Sequence, residues 1–228
     1  MSFACLILGE SGTGKTASLR NFDPAKTLLI QPIRKPLPFR AAGWTEIHGK
    51  NTGGNIYVSS DPAKILLTMQ RAPHPIIVLD DWQYVLASMF MAKRNIKGYD
   101  KFTAIGGAGF DLALAASQLP LHKRVYILSH TETDDFGVTR IKTLGRMLSE
   151  KIVVEGMFTT VLRTEVDAGR YFFRTHNNGS DTVKSPLGMF DDDRIENDLA
   201  AVDARICEYY GITETADDDE SNNEPKTE

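Results

Sequence analysis

Three glycines, a lysine and a threonine stand at fixed spacing near the start of the chain: Gly9-Glu10-Ser11-Gly12-Thr13-Gly14-Lys15-Thr16 fits the pattern G-x-x-x-x-G-K-[ST]. The spacing has a mechanism. Glycines let the backbone wrap so that successive N–H groups face phosphate oxygens, the start of a following helix adds partial positive charge, and Lys15 can reach the β and γ phosphates of a nucleotide. Thr16 offers its hydroxyl to Mg²⁺. A Gly-rich turn that matches by accident is the bland alternative, and the context weighs against it: an apolar run comes directly before and a helix-compatible KTASLRN directly after. Lys15 is expected to be an exposed side chain working on phosphate alone.

Such a site needs a carboxylate at the end of an apolar strand to hold the metal, and IIVLDD supplies Asp80. Asp81, beside it, is a candidate for polarising an attacking water, although it is one methylene shorter than a glutamate. Both aspartates could instead cap a helix starting at Trp82. His130 follows the apolar run RVYILS, and a strand's carboxyl end in an open α/β sheet is where ligands bind. With Lys15 and Asp81 it completes the candidate catalytic set, and Glu132 is a second candidate carboxylate.

The elements that would position these groups can be read from apolar patterning. Phe3 to Leu8 (FACLIL), Thr27 to Ile30, Pro75 to Asp81 and Arg124 to Ser129 are short continuous apolar runs, as strands buried on both faces should be. Asp61-Pro62 opens a helix to about Arg71, with Asp as N-cap and Pro at the first helical position. A helix is expected from Trp82 to about Arg94, then a loop to Gly109, then a helix FDLALAASQL. A polar loop is expected over 131–147. MFTTVLRTEV and RYFFRTH, meeting at Ala168-Gly169, predict an antiparallel hairpin, and short strands are expected around Gly53 and Gly54. Ile195, Leu199, Val202, Ile206 and Tyr209 form one face of a closing helix. Strands alternating with helices give an α/β fold with a largely parallel sheet, helices on both faces and a C-terminal antiparallel hairpin.

Composition agrees with one globular domain over 1–212: the 228 residues are 42% hydrophobic and 25% charged. Apolar runs are too short for a membrane span, and MSFACLILGE lacks the basic start of a signal peptide, so a cytoplasmic location without membrane contact is expected. Cys5 and Cys207 have neither zinc-site nor disulfide spacing and read as small buried hydrophobes. The net charge of -4 hides an asymmetry, because residues 213–228 hold seven acidic residues against one lysine and are expected to be a disordered acidic tail. The rest is slightly basic, which leaves room for a nucleic-acid surface.

Taken together, the N-terminal P-loop, IIVLDD, the strand ending Ser129-His130, the Thr/Lys/Arg/Gly-containing stretch and the hairpin resemble the RecA-type ATPase core. More narrowly, Leu37 to Phe39 (LPF), SHTET, VKSPLGMF and IENDL resemble phage-encoded RecA-core ATPases of the single-strand annealing type, over about residues 3 to 210. The resemblance implies a RecA-like P-loop NTPase fold, ATP and Mg²⁺ as cofactors, ATP hydrolysis, single-stranded DNA as partner, a single-strand-binding protein and further copies of the chain as candidate partners, and a phage protein in the host cytoplasm. It also assigns 93–109 and 131–147 to the two DNA-binding loops, with Lys97, Lys101, Phe136, Arg140, Lys142 and Arg146 as contacts and Tyr99, Phe102 and Phe136 as stacking aromatics. There are departures. Gln31-Pro32-Ile33 stands where many such proteins carry a catalytic glutamate, and two residues before the first strand leave no room for the N-terminal segment through which relatives polymerise. The alternatives are a P-loop nucleotide switch or AAA-type replication accessory ATPase without annealing activity, and a small-molecule P-loop kinase.

Overall fold

A computed structural model describes residues 1–49, 53–145 and 147–213 of the chain. Among the described residues, ten strands and four α-helices form an α/β fold. The strands are β1 (Phe3–Leu8), β2 (Thr27–Gln31), β3 (Ile56–Val58), β4 (Ile76–Asp80), β5 (Arg124–Ser129), β6 (Thr131–Thr133), β7 (Thr139–Ile141), β8 (Thr160–Asp167), β9 (Arg170–Arg174) and β10 (Arg194–Glu196). The helices are α1 (Pro62–Arg71), α2 (Trp82–Ala92), α3 (Asp100–Ala116) and α4 (Leu199–Tyr210). Eight strands make one sheet in the order β10-β9-β8-β1-β5-β4-β2-β3, parallel from β8 to β3 and antiparallel at the β8–β9 and β9–β10 pairs. Among the described residues no helix is long and apolar enough to cross a membrane.

The continuous apolar runs follow from burial on both faces. Leu6, Leu8, Ile77, Leu79, Val125 and Ile127 point to a core shared with α1, α2 and α3, while their alternates Cys5, Ile7, Val78, Tyr126 and Leu128 point to a core shared with α4. Helices therefore cover both faces. A buried fork fixes α4: Arg124 donates from Nε and a terminal nitrogen to Asp203, both at 2.9 Å, and the Tyr126 hydroxyl donates to the same carboxylate. Because both carboxylate oxygens are engaged, this burial of charge is tolerated. Cys5 is fully buried as expected, but Cys207 on α4 is only half-buried.

Helix α1 begins and ends where its capping residues place it, with Asp61 accepting from the Ala63 and Lys64 amides. The β8–β9 hairpin turns at Ala168 and Gly169, both at positive φ, as a two-residue turn between twisted strands requires. Four expectations change. The segment after the P-loop is a six-residue 3₁₀ helix (Thr16–Asn21), not an α-helix, because Asp23-Pro24 ends it within two turns. The expected loop up to Gly109 is a turn followed by the first half of α3. Gly109 serves packing: a Cβ there would lie 2.9 Å from the Trp82 ring, and the Gly109 carbonyl accepts from Trp82 Nε1. The polar stretch after His130 is a hairpin, β6–β7, whose Ile141 is buried in the α1–α3 core. Ile195 belongs to β10, opposite Phe173, so the closing helix starts at Leu199 under an Asp198 cap. Tyr209 is 40% exposed, leaving Leu199, Val202 and Ile206 as the buried face. Residues 214–228, read as an acidic tail, and Arg146 lie outside the described residues.

Candidate active site

Strands β1, β5 and β4 lie side by side and are parallel, so their carboxyl ends deliver the P-loop, His130 and the Asp80-Asp81 pair to one edge of the sheet. There they border a cavity of about 620 Å³ together with Ser11, Gly12, Gly14, Lys15 and Thr16. That volume is in the range of small-molecule sites. Gly9 has to be glycine because a Cβ would sit 1.9 Å from the hydroxyl of Thr164 on β8. Thr164 in turn bonds the Thr13 hydroxyl at 2.6 Å, which ties the loop to the neighbouring strand. Gly14, at φ +98, takes a conformation closed to ordinary residues.

Lys15 is 6% exposed, not the exposed side chain expected from its motif, and its Nζ donates to the Gly9 and Glu10 carbonyls at 2.8 and 2.9 Å. Burial lowers its pKa, opposed by the charges of Asp81 and Asp80. Thr16 donates its hydroxyl to both oxygens of Asp80, at 2.9 and 3.1 Å, and Asp80 is 1% exposed. The two proposed metal-holding residues are thus adjacent. A hydroxyl and one carboxylate are hard oxygen donors, and Mg²⁺ is held by one or two carboxylates together with substrate phosphates, so the donor set fits that ion.

Asp81 does precede α2, but its side chain makes no cap bond; instead its Oδ2 lies 2.9 Å from His130 Nε2. Burial pushes the Asp81 carboxyl up to about 6, with Asp80 adding to the rise while Lys15 and Lys35 oppose it. Burial also pushes His130 down to about 4, helped by Lys15, Lys35 and Lys142. At neutral pH the histidine is therefore neutral and donates its Nε2–H to an ionised Asp81. The opposite shifts have opposite effects on stability. A raised carboxyl loses stability as pH rises toward 6 and a lowered imidazole gains it between about 4 and 6.5, so the pair largely cancels. Asp81 Oδ1 is buried with no hydrogen-bond partner. One oxygen is held by the imidazole and the other is enclosed by the protein, so Asp81 is a fixed carboxylate at the edge of the cavity.

Two residues near the cavity escaped the sequence reading. Lys35, from the proline-broken segment after β2, reaches Asp80 Oδ2 at 3.4 Å. Tyr84 on α2 meets the His130 ring edge-on at 5.9 Å. Neither belongs to a motif, and for Lys35 the signal was a cation between prolines that hold the segment extended. Glu132 is exposed on β6 opposite Arg140 and does not border the cavity.

The residues assigned to DNA are more scattered. Phe136 is 92% exposed at the tip of the β6–β7 hairpin, whose Arg140 and Lys142 are also exposed. Arg140 lies 3.9 Å from Asp134. The hairpin grows out of the site, since Lys142 N donates to the His130 carbonyl at 2.8 Å. Lys97 and Tyr99 are exposed in the turn before α3, whereas Lys101 sits over the Phe90 and Phe102 rings at 5.4 and 5.2 Å, so Phe102 is packed in a cluster. No protein-family model matches the chain, and no curated protein matches it.

Proposed function

We propose that this chain binds Mg-ATP and hydrolyses it as a RecA-core ATPase that acts on single-stranded DNA in phage recombination or annealing. The observation that carries the nucleotide part is the convergence of Lys15, Thr16, Asp80, Asp81 and His130 from three adjacent parallel strands on one cavity. Loop N–H groups and Lys15 bind the phosphates, and Thr16 with Asp80 would hold Mg²⁺. When bound, that ion neutralises charge developing on the phosphoryl oxygens. Asp81 accepts a proton from the attacking water, and His130 holds the carboxylate in place through Oδ2. Lys35 adds a second cation at the phosphate side, where preorganised charge accounts for most of phosphoryl-transfer catalysis.

The DNA part is supported by the β6–β7 hairpin, which presents an exposed aromatic and two exposed cations and is anchored on His130 itself. A single-strand-binding protein and further copies of the chain as partners rest on the resemblance alone. One feature favours a nucleotide switch instead: Gln31, 2% exposed, ends β2, and the resemblance implies a catalytic glutamate just after that strand, where this chain has none. ATP turnover measured with and without single-stranded DNA separates the readings. Stimulation by DNA supports the proposal, tight binding without turnover selects the switch, and DNA-independent transfer of phosphate to a small acceptor selects a kinase.

A further inference from the structure

Lys35 stands in the segment between β2 and β3, and with Ile33, Pro36 and Pro38 it lines the same cavity as Ser11, Gly12 and Gly14. Pro32, Pro36 and Pro38 have no N–H to give a neighbour, and residues 32–38 are neither helix nor strand. Side chains hold the segment instead. Leu37 and Phe39 pack against the core under α4, Phe39 meets the Trp44 ring edge-on at 6.2 Å, and Arg34 pairs with Glu46. Between the Arg34 and Leu37 anchors, Lys35 reaches inward, with its Nζ 3.4 Å from Asp80 Oδ2. The two members of that pair differ in exposure: the Lys35 side chain is 37% exposed and the Asp80 side chain 0%. A buried carboxylate needs a counter-charge, whereas a lysine is a point charge on a flexible four-carbon stem. The ammonium can therefore leave, but only if another cation takes its place.

Asp80 is also the carboxylate that would hold Mg²⁺ with Thr16, so one group has two claimants. Its Oδ2 accepts from Thr16 at 3.1 Å and faces Lys35. A divalent ion drawn to that oxygen, directly or through a water, meets a like charge there. We propose that Lys35 is the resident counter-ion of Asp80, expelled by the metal and transferred to the phosphates that arrive with it. Lys15 cannot play this part, because it is 6% exposed and fixed on two loop carbonyls. A bare ion has to push the ammonium into water, whereas a metal polyphosphate offers it a new partner. Metal binding and phosphate binding are thereby coupled, and the coupling is reciprocal. The inference rests on the nucleotide reading above and adds to it a device that keeps the bare ion out of the site.

The test uses the full chain and two probes: Mn²⁺ alone, which suits the same oxygen ligands as Mg²⁺ and is followed by the paramagnetic resonance signal of the free ion, and inorganic tripolyphosphate, titrated calorimetrically in Mg²⁺. Lys35→Met keeps the stem and loses the charge. It should bind Mn²⁺ about 5- to 150-fold more tightly than wild type, the usual span of a coupling between two sites. The same variant should bind tripolyphosphate more weakly than wild type. Opposite signs are the signature, since a lysine that only braced the segment would lower both affinities when lost. Lys35→Gln takes the place of this variant if Lys35→Met does not fold. Mn²⁺ affinity that is unchanged or lower in the folded variant overturns the proposal while leaving the phosphate site standing, as does tripolyphosphate binding that fails to weaken. If wild type and variant bind neither Mn²⁺ nor tripolyphosphate, the nucleotide reading falls and takes this inference with it.

Discussion

The P-loop end of the site and the β6–β7 hairpin meet at His130 and solve opposite problems. From β1 and β4 come charged groups that are almost fully buried and held by fixed partners: Lys15 by loop carbonyls, Asp80 by Thr16, and one oxygen of Asp81 by His130. From His130 onward the chain turns outward, and its charges and its large aromatic are exposed. Buried ionic groups need fixed partners before any ligand arrives, because an unpaired one is costly. Exposed cations need none, and they acquire value only when a polyanion releases its counterions. Under the proposed function, one region is preorganised for a small, highly charged ligand, while the other offers contacts of low individual worth that add up over a long one.

If that contrast holds, damage to the buried end should have the largest effects. Asp81→Asn should reduce ATP turnover by about 10²- to 10⁴-fold with nucleotide binding retained, the usual contribution of a positioned base; wild-type turnover in that variant would place the base elsewhere. Lys15→Ala should abolish measurable ATP binding. Because Lys15 bonds two carbonyls inside the protein, thermal denaturation of this variant should also show a loss of about 1 to 3 kcal/mol of stability. On the hairpin, Phe136→Ala should weaken binding of a labelled oligonucleotide by about 1 to 3 kcal/mol with an unchanged salt slope, as expected for a lost base stack. Neutralising Arg140 and Lys142 together should do the reverse: flatten the logarithmic salt dependence by about 1.4, at 0.7 for each phosphate contact on a single strand. An unaltered slope would put DNA on another surface.

The smallest effect belongs to a third solution, the paired surface cluster on the antiparallel strands. Glu165 accepts from Arg174 at 2.7 Å and from Arg194 at 2.8 Å. Burial raises its pKa, but the bonds and charges of Arg174 and Arg194 outweigh that and hold it below the usual glutamate value. The folded chain thus binds this proton less tightly than the unfolded one, so the stability Glu165 contributes is present above the usual glutamate pKa and is lost as pH falls through the folded value. Glu165→Gln should make the midpoint of thermal unfolding less sensitive to acid than in wild type. Solvent screening keeps the difference small.

Much of this was written in local sequence. The strand–loop–helix order around Lys15, the carboxylate end of β4, the Asp61 cap and the Ala168-Gly169 turn depend on residues a few positions apart, where spacing alone carries the physics. Failures came where distant residues decide. Gly106 and Gly109 look like loop residues until α3 has to pack closely on Met147 and Trp82. Ile195 continues the spacing of α4 but is claimed by Phe173 across the sheet. Lys35 enters its cavity from a segment without a motif, and nothing near it in the chain announces Asp80.

Strand order also bears on how the protein is made. The neighbours of β1 are β5 and β8, which start at Arg124 and Thr160, so β1 stays unpaired until segments far later in the chain are available. Until those segments emerge, FACLIL has two open edges and two apolar faces, the profile of an aggregation-prone segment. With so much of its sheet closed by long-range parallel pairing, the chain should fold slowly. The glycine-rich loop that follows β1 gains its tie to the sheet, the Thr13–Thr164 bond, only once β8 has arrived.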